Sequence, residues 1–414
     1  MILHWIYNIG ICFYSFALRI ASLFNDKAKL FVRGRKHWRA RYAQVFQQRK
    51  AACVWVHCAS LGEFEQARPL IEALRAQESD LCIVVTFFSP SGYEVRKNYD
   101  LADAVFYLPL DTLSNAKDFI DIVQPDVALF VKYEFWYNYI NHLHKLYIPI
   151  LSVSSIFQDR HSFFKFYGGF QRKMLRNITY FFVQDQNSKA LLSSIGIKNV
   201  DVVGDTRFDR AMQVAQSTVN YSEIEAFKGQ KKLLVVGSSW LDDERLIAQL
   251  FSHIQDGYQL LIAPHEINTA HLSQIASLFK GYNTCRFTEG VVNNAHILIL
   301  DTFGMLSVVY KYADVVWIGG GWNKTGIHNL VEAAVYAKPI FFGPNYSRYR
   351  EANDLIQCGG VVSVSNAEEM FQVLSNENAL YQMGNNAYEY VQAQMGATSK
   401  IVDYIVLKCL SSKP

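Results

Sequence analysis

The chain has 414 residues, half of them apolar and 19% charged, with a formal net charge of +3. That length fits two domains, and that composition excludes a disordered chain, which needs low hydrophobicity and high net charge. It also excludes a bundle of membrane spans, because only the extreme N-terminus approaches the ~20 apolar residues that one span needs.

Residues 1–18 carry no formal charge, and within 2–24 only His4, Asn8, Gly10, Ser15, Arg19 and Ser22 are not apolar. Three readings stay open: a single membrane span with Trp5 and Tyr7 near an interface, an amphipathic helix lying among headgroups, and a buried first helix of a soluble domain. A cleavable signal peptide fits poorly, since no basic region precedes the apolar stretch and no small-residue cleavage pattern follows it. Arg19, Lys27, Lys29, Arg33, Arg35, Lys36, Arg39 and Arg41 face a single acid, Asp26, over residues 19–41. Such a collar is drawn to anionic membrane lipids at roughly 1 kcal/mol per basic residue, and it places the C-terminal side in the cytoplasm. Residues 1–41 are therefore expected to form a membrane anchor with a basic collar. The rest of the chain is net acidic, so no nucleic-acid partner is expected.

From residue 52, short apolar runs alternate with helical patterns. The expected strands of the first half are Ala52–Cys58, Leu81–Thr86, Ala104–Leu108, Asp126–Val131, Pro149–Val153, Tyr180–Val183 and Val200–Val203. Helical spacing falls between them, as in Glu65–Arg75 and Leu113–Val123. The second half gives Lys232–Gly237, Gln259–Ala263, Ile297–Leu300, Asp314–Gly319, Pro339–Phe342 and Val361–Val364, with terminal helices over 380–412. Continuous apolar strands joined by helices indicate α/β domains with parallel sheets covered on both faces. The join is polar and falls near 208–231, which divides the body into domains 42–210 and 211–414. In doubly wound sheets, ligands sit beyond the carboxyl ends of strands, so the loops that follow strands carry the chemistry.

Seven such loops stand out. In His57–Glu65, Ser60 and Glu63 have the spacing of a capping box, and Glu63 is equally placed to act as a general base. Glu134 lies among Tyr133, Phe135 and Trp136, either as a helix-start acid or as a site residue. Arg207 follows a strand and either stabilises a leaving phosphate or pairs with Asp205 or Asp209. Gly237-Ser238-Ser239 runs from a strand into a helix, a turn that suits a phosphate without being a Walker A loop. Pro264-His265 and Phe303-Gly304-Met305 end two further strands. The last loop runs from Gly319-Gly320-Gly321 to Gly326, His328, Asn329 and Glu332. Its glycines let backbone approach a ligand closely, and its Glu sits where two ribose hydroxyls can be bound. No metal motif emerges, and most of the seven cysteines, odd in number and without a C-x-x-C, read as small core residues of a protein in a reducing compartment.

Several segments agree in order: Arg33–Trp38, VWVHCASLGEFEQARPLI (54–71), YEFWYNYI (133–140) and GIHNLVEAAVYAKPIFFGP (326–344). On these the chain resembles the 3-deoxy-D-manno-octulosonic acid (Kdo) transferases of lipopolysaccharide synthesis. The resemblance implies a GT-B fold: two Rossmann-like domains facing a cleft, the first taking the acceptor and the second CMP-Kdo. It implies an inverting glycosyltransferase that needs no metal or other cofactor and moves Kdo onto the lipid A precursor, lipid IVA, at the cytoplasmic side of the bacterial inner membrane. By resemblance Glu63 is the general base, with Ser60 and Gly62 beside the acceptor, and Glu134 and Arg207 support the transition state. Ser238, Ser239, Pro264, His265, Phe303, Gly304, Met305, Gly326, His328, Asn329, Leu330, Val331 and Glu332 are implied on the donor side. Three departures stand out. Arg207 replaces a usual Lys, Pro264-His265-Glu266 replaces a frequent Pro-Arg-His, and Ser152–Phe157 replaces an Asn-Ala-Arg pattern. The rival is another GT-B enzyme, a glycosyltransferase or an epimerase that uses a UDP-sugar.

Overall fold

The computed structural model describes residues 2–46, 51–292 and 294–410. The chain divides into two compact units: one runs to Arg210 and regains the chain from Met395, and the other spans Ala211–Gln394.

The first unit opens with helices α1 (Ile2–Ala21), α2 (Asp26–Gly34) and α3 (Trp38–Phe46). Its strands are β1 (Cys53–Cys58), β2 (Cys82–Phe87), β3 (Ala104–Tyr107), β4 (Val127–Val131), β5 (Ile150–Ser155), β6 (Tyr180–Val183) and β7 (Val200–Val202), with helix α4 (Leu61–Gln77) after β1. They form one parallel sheet in the order β3-β2-β1-β4-β5-β6-β7. The order reverses between β1 and β4, which sets a binding crevice beyond the ends of those two strands. Every residue of β1, β2, β4 and β5 is buried, which explains their largely apolar character. Trp55 and Phe130 face one covering layer, and Val54, Val56 and Leu129 face the other.

Two expectations need correction here. The C-terminal segment was assigned to the second domain, yet Ile401, Ile405 and Cys409 join the core of the first, over the α4 face. Asp209 fixes the return by accepting from the backbone N–H of Gly396 (2.6 Å) and Thr398 (2.7 Å). The second correction concerns the spanning form of the anchor. Among the described residues, no helix is long and apolar enough to cross a membrane. The polar positions of α1 instead fasten it to the first unit. Tyr7 donates to Asp111 (2.6 Å), Asn138 donates to Asn8 (3.0 Å), and the rings of His4 and Tyr7 lie against Tyr137. The opposite face leaves Trp5, Ile9, Phe13, Phe16 and Ile20 exposed.

The second unit carries β8 (Lys232–Ser239), β9 (Tyr258–Pro264), β10 (Thr284–Arg286), β11 (Ile297–Ile299), β12 (Val315–Ile318), β13 (Ile340–Phe342) and β14 (Val361–Ser363). They are parallel, in the order β10-β11-β9-β8-β12-β13-β14, with the reversal between β8 and β12. The polar join holds helices Thr206–Ala215 and Ser222–Lys228 and no strand. β10 was not expected, because a three-residue edge strand reading Thr-Cys-Arg has no apolar run to betray it.

Candidate functional site

In the first unit, β1 ends at Cys58 and α4 begins at Leu61, so the turn Ala59-Ser60 lies at the strand-order reversal. Glu63, in the first turn of α4, folds back and accepts from the Ala59 N–H. Ser60 occupies the N-cap with extended backbone, but its hydroxyl makes no cap bond. Only half of the expected capping box therefore exists. Gly62 is exposed, with open space where a Cβ would stand. Burial pushes the Glu63 carboxyl up to about 7, the charge of Glu134 adds to the rise, and the Ala59 N–H and Lys132 oppose it. A carboxyl titrating near neutrality exchanges protons readily at physiological pH.

Glu134 follows β4 through Lys132, whose backbone takes the left-handed φ of 57°. Such a conformation is costly for a side-chain-bearing residue and recurs at functional turns. The Trp136 indole N–H donates to Glu134 Oε2 (2.9 Å) and also faces His57 Nε2 at 3.2 Å. His57 Nε2 lies 3.4 Å from the same carboxylate oxygen. On the other side of the ring, Nδ1 lies 3.1 Å from the Thr86 carbonyl and 2.9 Å from its hydroxyl. A carbonyl only accepts, so the contact with Thr86 calls for a proton on Nδ1. His57, Thr86 and Trp136 thus belong to the site, although the sequence pointed only to the two carboxylates. The available signal was a polar side chain inside each of two fully buried strands, His57 in β1 and Thr86 in β2.

Arg207 pairs with Asp205, donating from Nε (2.8 Å) and from its own backbone N–H (2.9 Å). Asp205 also accepts from Gln66 at 3.1 Å, and Gln66 lies one turn beyond Glu63 on α4. The ion pair anticipated for Arg207 is therefore present, and it ties this guanidinium to the helix that carries Glu63. Asp209, the other anticipated partner, instead caps the C-terminal return.

In the second unit three rings gather where β8 and β9 end. Trp240 stacks on His265 (4.7 Å between centroids), and His265 stacks on His328 (4.4 Å). The Trp240 N–H donates to His328 Nε2 (3.0 Å). Burial, and then the neighbouring His265, push His328 down to about 4, so it is neutral at pH 7. Burial lowers His265 as well. Trp240 was not among the expected site residues, and its proximity to His328 arises only when β8 and β12 pair.

The remaining donor-side candidates divide. Ser238 takes a φ of 53° at the end of β8. Ser239 is buried and gives its hydroxyl to Glu244 (2.7 Å), which also meets His271 Nε2 (3.0 Å), so that hydroxyl is engaged inside the protein. Pro264 is the buried last residue of β9, while Phe303 is 76% exposed beside Gly304 and Met305. Asn329 accepts from the Val331 N–H (3.2 Å) and donates to Glu332 (2.8 Å). Leu330 and Val331 are buried, so their side chains are core. The glycines need a correction. A Cβ on Gly319 would stand 2.3 Å from the Ser238 carbonyl, and one on Gly321 2.5 Å from the Gly343 Cα. Gly320 and Gly326 take φ of 92° and 84°. Their smallness serves the chain's own backbone packing, and Gly320 donates to Asp243 (2.9 Å). Among the described residues, no group of three or more His, Cys, Asp or Glu is placed to hold a metal ion.

Residues 36–210 match the family model described as 3-deoxy-D-manno-octulosonic-acid transferase (kdotransferase). The 3-deoxy-D-manno-octulosonic acid transferase of Haemophilus influenzae is 25% identical over 394 residues, covering 88% of this chain and 91% of that protein. Residues 36–210 are thus matched as a Kdo transferase domain. The chain's homology to Kdo transferases makes it a glycosyltransferase. A bifunctional glycosyltransferase/methyltransferase of Fusobacterium nucleatum is 26% identical over 77% of this chain, which spans 50% of that protein's length. Among solved structures, a UDP-GlcNAc 2-epimerase from Neisseria meningitidis (TM-score 0.60, 16% identity) and an Acinetobacter baumannii MurG (TM-score 0.54, 13% identity) each cover 86% of this chain and all of their own. These likenesses agree with two GT-B-type α/β domains. Glu63, Glu134 and Arg207 all fall inside the segment that matches the Kdo transferase model, and the three-ring stack falls outside it.

Proposed function

We propose that this chain transfers Kdo from CMP-Kdo to the lipid A precursor lipid IVA, with inversion at the anomeric carbon. Glu63 takes the proton of the acceptor hydroxyl, the hydroxyl oxygen bonds to the anomeric carbon, and the bond to the CMP phosphate breaks. The observation that carries this reading is Glu63 itself: a half-buried carboxyl at the end of the central strand, titrating near 7. Glu134 and Arg207 support the transition state from the same unit. Ser60 and Gly62 flank the acceptor. The second unit takes the donor over the stack of Trp240, His265 and His328, with Ser238, Gly304 and Glu332 around it.

A lipid acceptor also accounts for the N-terminus. The exposed face of α1, next to the basic residues of α2 and α3, suits a helix lying in the headgroup region. On this reading the protein works at the cytoplasmic side of a bacterial inner membrane.

The test is a mass assay with CMP-Kdo and tetraacylated lipid A precursor, using the full chain in detergent. A product heavier by one or more Kdo units is expected, and Glu63→Gln should abolish it while CMP still protects the protein thermally. Protection by UDP and not by CMP would overturn the reading in favour of a UDP-sugar enzyme.

A further inference from the structure

A cavity of about 900 Å³ lies in the first unit between α1, the α2–α3 turn and the segment that follows β3. Four cations line it, Arg19, Arg35, Lys36 and Arg39; Arg39 already pairs with Asp118 (2.6 Å) at its edge, and no Asp or Glu is among the lining residues. Arg35 is the notable one. It donates to three backbone carbonyls, those of Leu108 (2.7 Å), Phe31 (3.1 Å) and Phe88 (2.6 Å). Its guanidinium lies over the rings of Phe31 (3.6 Å), Tyr107 (4.9 Å) and Phe88 (5.3 Å). No carboxylate pairs with it among the described residues. Its burial lowers its proton affinity. A partly desolvated cation without a counter-ion is costly unless an anion completes the site.

Two relationships say what that anion is attached to. The outer face of α1 exposes Phe13, Phe16 and Ile20, and the adjoining turn exposes Leu23 and Phe24, so apolar chains can leave the cavity along protein. On the inner side, Phe88, whose carbonyl holds Arg35, packs on Trp136 at 4.7 Å, and Trp136 donates to Glu134. Two rings, Phe88 and Trp136, thus link Arg35 to the carboxylate cluster, and the cavity adjoins an apolar surface.

We infer that this cavity binds the phosphate of a lipid head group, with Arg35 at its floor and Arg19, Lys36 and Arg39 around it. Guanidinium groups suit phosphate because their planar forks give paired hydrogen bonds. The phosphate belongs either to the lipid acceptor or to an anionic phospholipid of the bilayer. The acceptor case rests on the function proposed above, and the phospholipid case does not.

The test uses the full chain and two monomeric probes: the deacylated glucosamine disaccharide bisphosphate, and dihexanoylphosphatidylglycerol below its micelle concentration. Calorimetric titration should detect at least one of them. Arg35→Gln should weaken it tenfold or more, as should the double variant Arg19→Gln/Lys36→Gln, which leaves the carbonyl contacts of Arg35 intact should the first fail to fold. Lys27→Gln/Lys29→Gln removes two exposed charges outside the cavity and should change affinity less than twofold. Binding of the disaccharide identifies the acceptor, and binding of the phosphatidylglycerol identifies the bilayer. If neither binds, or if the Lys27/Lys29 variant loses as much as the cavity variants, the inference falls. Thermal protection by CMP, measured on the same samples, keeps this outcome separate from failure of the donor assignment.

Discussion

The indole of Trp136 donates a 2.9 Å hydrogen bond to Glu134, and Glu134 in turn raises the proton affinity of Glu63. The two carboxylates are therefore coupled: the indole fixes Glu134, and the charge of Glu134 adds to the burial that raises Glu63. With Glu63 at about 7, the acid limb of kcat/KM should fall near neutrality, since only the deprotonated form acts as a base. Glu134→Gln removes a like charge, so that limb should move to lower pH. A pH profile of both proteins checks this. An unmoved limb would mean that burial alone sets the proton affinity of Glu63.

The raised Glu63 also makes a claim about stability. A carboxyl whose folded-state pKa lies above its unfolded value favours folding fully below about 4.5, and that contribution is lost as pH rises through about 7. Glu63→Gln keeps a neutral, similarly shaped side chain at every pH. It should leave stability near pH 4 unchanged and raise it by ~2 kcal/mol at pH 8, a difference that denaturant unfolding at the two pH values will read.

The fold was legible because β4 and β12, and the middles of β1 and β8, are apolar runs at the centres of two sheets, as strands buried on both faces require. Glu63, Glu134 and His265 were legible because strand ends are where such sheets bind ligands. Their supporting partners were not. Thr86 meets His57 across two adjacent strands, and Trp240 meets His328 across 88 residues, distances over which spacing carries no signal. Nor did spacing reveal that Ser239 is spent on Glu244, since a buried carboxylate five residues away on a helix reads as an ordinary polar position. The fate of α1 was undecidable for a similar reason: Tyr7 finds its partner in Asp111, 104 residues on.

Trp240 should matter through its N–H as well as its ring. Trp240→Phe keeps a stacking surface against His265 but removes the donor that holds His328 Nε2. His328 then reorients or changes tautomer. CMP affinity should fall several-fold, more than the loss of stacking area accounts for, while thermal stability in the absence of nucleotide changes by less than about 1 kcal/mol. Titration with CMP alongside thermal melts separates the two effects. Unchanged affinity would make the stack a packing feature.

Two glycines predict opposite outcomes for the same substitution. At Gly321 an added Cβ would meet the backbone of Gly343 at 2.5 Å, and backbone cannot swing aside as a flexible side chain can. Gly321→Ala should therefore displace the turns after β12 and β13 and cost more than ~2 kcal/mol, comparable to other overpacked sites. At Gly62 the same methyl meets nothing within 4 Å, and the residue lies within α4, where Ala restricts the unfolded chain and is preferred to Gly. Gly62→Ala should therefore stabilise the protein by ~0.5–1 kcal/mol. The proposed function nevertheless sets Gly62 beside the acceptor, so the methyl should raise the KM for the acceptor while leaving CMP binding unchanged. Thermal melts of both variants, with acceptor kinetics for Gly62→Ala, test the pair. A stabilised Gly62→Ala enzyme with an unaltered acceptor KM would remove Gly62 from the acceptor side of the site.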